Sequence, residues 1–152
     1  RLASSYGPGL ALVDAYQTSD FQKPDRLKSA GGGLVSTAAD YLNFCQMWLD
    51  GGSFDGKRLL QEESLQEMTR NQLPEGVSAY GLFGFGLGVL VQLHDWGNKA
   101  HRDQYGWNGA ASTHFWISPR DELIFIALSQ RQPFSNQLKK ALTPLVYRSL
   151  QP

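Results

Sequence analysis

The sequence has one cysteine, no excess of either charge and no long apolar run. A single thiol, Cys45, can close no internal disulfide and cannot furnish a zinc ribbon. It leaves the redox compartment open, because one buried thiol suits either environment. The 14 basic and 14 acidic residues cancel to zero formal charge and form no long block, so neither nucleic acid nor an anionic membrane is favoured as a partner. The longest apolar stretch falls well short of the ~20 residues that a membrane span needs. Gly31-Gly32-Gly33 runs into Leu34-Val35-Ser36, not the Lys-Ser/Thr of a phosphate loop, and reads as a tight turn. His94, Asp95, His101 and Asp103 match no established metal spacing, and no cofactor or metal is expected. Two nucleophile signatures are also missing. There is no Gly-x-Ser-x-Gly, and no Ser-x-x-Lys, since Ser135 and Lys139 are one residue too far apart.

What remains describes an ordinary globular chain of 152 residues, 41% apolar and 18% charged, long enough for one domain with a core. Its centre is Tyr105–Gln130. Thr113, Phe115 and Ile117 alternate with His114, Trp116 and Ser118, which is strand patterning. Pro119-Arg120-Asp121 supplies a turn, and the apolar run Leu123–Leu128 suits a strand covered on both faces, placed centrally in a sheet. Tyr80–Leu93 reads as one further strand, with Phe83, Phe85, Leu87, Val89, Val91 and Leu93 on one face and Gly84, Gly86 and Gly88 on the other.

Residues 1–33 read mostly as loop. A helix starts at a Thr37–Asp40 capping box, turns Ala38, Tyr41, Leu42, Cys45, Trp48 and Leu49 inward, and stops at Gly51-Gly52. Asp55-Gly56 marks a hairpin, and a short helix over about 62–70 buries Leu65 and Met68. His94–Arg102 is a polar loop. Ser135 can cap a last helix that turns Leu138, Ala141, Leu142, Leu145, Val146 and Leu150 inward, with Pro144 kinking or restarting it. Helices, then antiparallel strands, then a closing helix make an α+β arrangement. Tyr41-Leu42-Asn43 lies on an inward helix face and is discounted as a catalytic Tyr-x-Asn.

Ser29-Ala30-Gly31-Gly32-Gly33-Leu34-Val35-Ser36-Thr37-Ala38-Ala39-Asp40-Tyr41, then a helix and Gly51-Gly52, resembles the second half of the serine β-lactamase-related family. That family includes class C β-lactamases, DD-peptidases (penicillin-binding-protein-like enzymes), D-aminopeptidases and serine esterases. The resemblance continues through Gly56-Lys57-Arg58-Leu59-Leu60 and the glycine strand Tyr80–Gly88. It ends in Tyr105-Gly106-Trp107-Asn108-Gly109-Ala110-Ala111-Ser112-Thr113 with Phe115-Trp116-Ile117. It covers about residues 29–130. It implies the C-terminal part of a β-lactamase/transpeptidase-like fold, an antiparallel sheet with flanking helices.

The family's third active-site element, commonly Lys-Thr-Gly, falls on Trp107-Asn108-Gly109. The resemblance therefore implies a substrate-binding strand. There Trp107 offers an apolar wall and an indole donor, Asn108 binds a substrate carbonyl or orders water, and Gly109 leaves room along the strand edge. The Ala110 backbone N–H is implied as one of two oxyanion donors. Tryptophan in place of lysine departs from carboxylate-bearing β-lactam recognition and resembles the esterase-like branch.

The expected function follows. These residues would be one incomplete domain, 1–152, from a longer serine acyl hydrolase acting on a small ester, amide or β-lactam through an acyl-enzyme. Lacking the nucleophile, they would be inactive alone and would partner the missing N-terminal half or self-associate through exposed apolar surface. The alternative is a non-catalytic β-lactamase-like binding or scaffold module. The resemblance implies a bacterial protein, with periplasmic, secreted and cytoplasmic locations all compatible.

Overall fold

The computed structural model describes residues 2–97 and 100–150. Arg1, in the opening stretch, and Asn98 and Lys99, in the polar loop, lie outside the described residues. The organising element is a five-stranded antiparallel sheet whose strands neighbour one another in chain order. They are β5 (Phe83–Phe85), β6 (Leu90–Gln92), β7 (Tyr105–Asn108), β8 (His114–Ser118) and β9 (Leu123–Ala127). Ahead of them come a small hairpin, β1 (Ser5–Tyr6) with β2 (Leu12–Asp14), and a second, β3 (Ser53–Phe54) with β4 (Lys57–Arg58). Helices α1 (Ala38–Leu49), α2 (Glu62–Thr69) and α3 (Gln137–Ser149) complete the fold.

Local chemistry explains the element ends. Thr37 Oγ1 accepts from the Asp40 N–H at 3.1 Å, which caps α1, and donates to Asp40 Oδ2 at 2.8 Å, where a full capping box would have the carboxylate on the Thr37 N–H. Asp55 and Gly56 both take positive φ, 49° and 71°, as the two-residue turn joining β3 to β4 requires. In the triple glycine, the Gly33 N–H closes a turn on Ser29 O at 2.7 Å.

The sheet lies between helices. On one face Phe115, Ile117, Tyr105, Val91 and Val89 pack with Cys45, Met47 and Trp48 of α1 and Leu65 of α2. On the other, Trp116 stacks between Phe125 and Tyr147 at 5.1 and 5.5 Å, with Leu142 and Val146 of α3 alongside. β8 is buried at all five residues, because its alternating side chains meet α1 and α3 in turn.

Several expectations need correction. Tyr80–Leu93 is a hairpin and not one strand: the chain reverses at Gly86–Val89, where the Gly86 N–H bonds Val89 O at 2.8 Å and Gly88 adopts φ 92°. Gly84 and Gly86 are spared side chains because Asn71 and Met68 O stand where a Cβ would sit. The apolar run of β9 is covered on both faces, but the strand lies at the sheet's edge, not its centre. In α1, Ala38 and Leu42 face outward while Met47 is buried. In α3, Leu138, Ala141 and Leu145 are exposed, as is Leu150 just beyond it, and Tyr147 takes the inward place. The helix runs through Pro144, and its N-cap is Asn136, with the Ser135 hydroxyl accepting from the Gln137 N–H at 3.3 Å. The β1–β2 hairpin falls where loop is expected, tied by Tyr6 to Gln130 and Gln132 beyond β9.

Candidate active-site strand

β7 carries the residues of interest, and its pairing is lopsided. It matches β8 over four residues, Tyr105 to Asn108, but β6 over only two, Tyr105 and Gly106. Beyond Gly106 the chain of β6 has turned away, so among the described residues the edge from Trp107 to Ala110 has a paired strand on one side only. The Gly109 N–H donates to Thr113 O at 2.8 Å. Backbone groups alternate along a strand, so the N–H and C=O of Asn108 face the open side. Ala110 is exposed, and its N–H takes no hydrogen bond among the described residues.

The side chains divide between the faces. Trp107 pairs with Phe115 and lies on the α1 face, half-buried, with Phe85 edge-on at 5.4 Å. Its indole N–H has no bonded partner among the described residues and is free to donate. Asn108 pairs with His114 and lies on the α3 face, where its Oδ1 is set 2.7 Å from His114 Nδ1. One small ligand cannot lie against the Trp107 ring and the Asn108 amide on the same face. What Asn108 offers next to Trp107 is its backbone. Gly109 has a structural reason as well: an added Cβ would run into Thr113 Oγ1.

The turn after Gly109 is tied from behind. Ser112, with φ 60° and 2% exposure, donates from Oγ to Arg131 O at 2.8 Å and accepts from the Ser135 N–H at 2.9 Å. Ser129 Oγ donates to Ser112 O at 2.6 Å, and the Arg131 N–H bonds Ala111 O at 3.0 Å. His114 Nε2 lies 3.1 Å from Ser135 O. Ser112, Ser129 and His114 thus fix the backbone beside Ala110; the sequence places Ser112 only within the resemblance and His114 only in a strand, and gives none of the three this role. Only the alternation of His114 along β8 hinted at its burial.

Other candidates have local roles. His101 Nδ1 pairs with Asp121 at 2.7 Å, and Asp95 accepts from the Arg102 N–H and from Arg120. Among the described residues no three His, Cys, Asp or Glu side chains group to hold a metal. Burial pushes the Cys45 thiol up to about 12, which suits a packing residue and not a nucleophile. Burial also lifts Tyr41 to about 12, and its ring meets Phe115 edge-on at 5.1 Å. Among the described residues no helix is long and apolar enough to cross a membrane.

Solved structures share this fold. Simvastatin synthase (LovD) from Aspergillus terreus superposes with a TM-score of 0.77 at 18% identity, covering 99% of this chain and 43% of its own. A Bacteroides dorei DSM 17855 protein described as a candidate beta-lactamase gives 0.53 at 24% identity, over 74% of this chain and 40% of its own. Rv1367c of Mycobacterium tuberculosis H37Rv is 32% identical over 123 residues, 72% of this chain and 31% of the relative. The uncharacterized MT1414 of strain CDC 1551 / Oshkosh matches with the same figures. This chain therefore spans less than a third of the length of these curated relatives. The sequence model of the beta-lactamase family matches residues 1–147, well beyond the 29–130 on which the resemblance rests, and the chain belongs to that family.

Proposed function

We propose that this chain is the C-terminal part of a serine acyl hydrolase that works through an acyl-enzyme on small esters or amides. The observation that carries the reading is the open edge of β7, where the Ala110 N–H and the Asn108 backbone are unpaired among the described residues, beside a half-buried indole. An acyl substrate laid along that edge would meet Asn108 with its polar groups and Trp107 with its apolar side. When a hydroxyl adds to the carbonyl, the oxygen gains charge, and the Ala110 N–H would be one donor to it. Collapse expels the leaving group, and water then hydrolyses the acyl-enzyme. No Ser-x-x-Lys occurs in the 152 residues, so the nucleophile and its lysine are assigned to a preceding segment of the protein. That segment would also cover apolar side chains such as Leu10, Leu27 and Leu34, each 82% exposed. Tryptophan at 107, where the resemblance has lysine, favours uncharged esters over carboxylate-bearing β-lactams.

The test uses the full-length protein with a chromogenic short-chain ester and a chromogenic cephalosporin. Ester turnover is expected. Ala110→Pro, which deletes the N–H, should lower kcat by roughly 10²–10³-fold. Ala110→Gly, which keeps it, should not. If the full-length protein is inert to both substrates and to a covalent serine probe, the family fold serves here as a non-catalytic binding module.

A further inference from the structure

We propose that His114 is a positioning residue that sets which end of the Asn108 carboxamide is left free, on the α3 face beside the open edge of β7: the oxygen while the ring is neutral, the NH₂ once it is protonated. The consequence for substrate rests on the reading of that edge given above; the geometry does not. His114 is 2% exposed, and both of its ring nitrogens face polar groups. Ser135 O, 3.1 Å from Nε2, can only accept, so Nε2 carries a hydrogen. With Asn108 Oδ1 toward Nδ1 at 2.7 Å, Nδ1 would need a second hydrogen and the ring a full charge.

The surroundings oppose that charge. α3 contributes the Lys139 ammonium, the segment before it Phe134 and Ser135, β9 Ala127 opposite in register, and β7 the neutral Asn108. No carboxylate bonds the ring among the described residues. Burial, and behind it the Lys139 charge, hold the imidazole below its ordinary range despite the Ser135 carbonyl. A neutral ring has one N–H, which the Ser135 carbonyl takes. Its Nδ1 is then a lone pair and needs a donor. A half-turn of the carboxamide supplies one with little change of shape, placing Nδ2–H on the ring and Oδ1 outward. On the α3 face the amide oxygen then has no protein partner among the described residues and can accept from a substrate N–H or hydroxyl that reaches past the strand edge. Protonating Nδ1 reverses the amide and turns its free end from acceptor to donor.

The experiment is ¹⁵N NMR of histidine-labelled full-length protein, with Asn108→Asp for comparison. At neutral pH the wild type should show Nε2 protonated and Nδ1 bare. Asn108→Asp, whose side chain can only accept, should draw a second proton onto His114 and raise its pKa. Two protonated nitrogens in the neutral wild type, or a hydrogen on Nδ1 alone, would overturn the proposal whatever the protein catalyses. The same protein is then assayed with an N–H-bearing acyl substrate and its N-methyl analogue. The KM gap should be roughly 2–10-fold at neutral pH, the span of one neutral hydrogen bond, and should close as His114 protonates. A gap that ignores pH removes the specificity role. Inertness to every substrate alongside the expected NMR result sinks the hydrolase reading and leaves the amide orientation standing.

Discussion

Thr113 Oγ1 stands in the space that a β-carbon on Gly109 would occupy. A side chain at 109 would thus displace the Thr113 hydroxyl from its rotamer, whatever lies along the open side. Gly109→Ala should cost about 1–3 kcal/mol, as overpacking does. Thr113→Ala removes the hydroxyl and leaves a Cβ–Cβ separation of 3.6 Å, an ordinary contact. Urea unfolding of the two single variants and the double should therefore show coupling, with Gly109→Ala nearly harmless in the Thr113→Ala background. Additive costs would mean that the clash does not set the residue type.

Ser112 does two jobs in a left-handed backbone position. Its hydroxyl bonds both Arg131 O and the Ser135 N–H, and φ is 60°. Ser112→Ala leaves both partners unmet and keeps the strained backbone, so it should cost about 2 kcal/mol or more. Ser112→Gly loses the same bonds but relaxes the backbone, and should be milder by about 1 kcal/mol. Chemical denaturation gives the order. Alanine milder than glycine would show that conformation is not limiting there.

Where sequence reading succeeded, the signal was local. Thr37 lies three residues from the Asp40 it caps, and Asp55-Gly56 states its own turn. The alternation in β8 predicted a strand, though not that both faces would be buried, since α1 and α3 come from opposite ends of the chain. The apolar run of β9 reports two covered faces and says nothing of lateral neighbours, so an edge strand read as a central one. Gly84, Gly86 and Gly88 kept the period of a strand through a reversal, because glycine fits strand and turn alike. The resemblance located β7 but not its lopsided pairing, which depends on where β6 ends. His114 was hidden because its partner, Ser135, lies 21 residues on, in a loop without pattern.

Stability should fall with pH in two steps of the same sign. Burial and Lys139 hold His114 below its ordinary 6.5. A depressed folded pKa gives stability that is full above the unfolded value and is lost as pH falls through the folded one. Burial alone would raise Asp121, but hydrogen bonds from Ser118 and His101 outweigh it and hold the carboxyl below 3.8. Its contribution is present above that value and is lost as pH falls through the lowered one. Urea midpoints from about pH 8 to about pH 3 should show both steps. His114→Gln should flatten the upper step alone, and Asp121→Asn should shrink the lower, which Asp95 and Asp20 share through the Arg102 N–H and Lys23. A variant that leaves its own step in place would assign that step to another group.

Trp107 separates packing from recognition, because its ring meets Phe85 and the α1 core while its indole N–H bonds no protein group among the described residues. Trp107→Phe keeps much of the ring contact, removes the donor, and should alter substrate binding more than stability. Trp107→Lys should cost about 2 kcal/mol, below the ~3–5 for emptying a fully buried aromatic site, since the lysine stem can cover apolar surface with its head outward. The same change places an ammonium at the strand position where the resemblance has lysine. In the full-length protein it should lower the KM of a carboxylate-bearing acyl substrate relative to its methyl ester by roughly tenfold, the scale of a charge-assisted hydrogen bond. A variant that folds yet leaves that ratio unchanged would mean that position 107 does not face the substrate. β7 would then be a packing strand, and the reacting carbonyl would have to be sought elsewhere on the sheet.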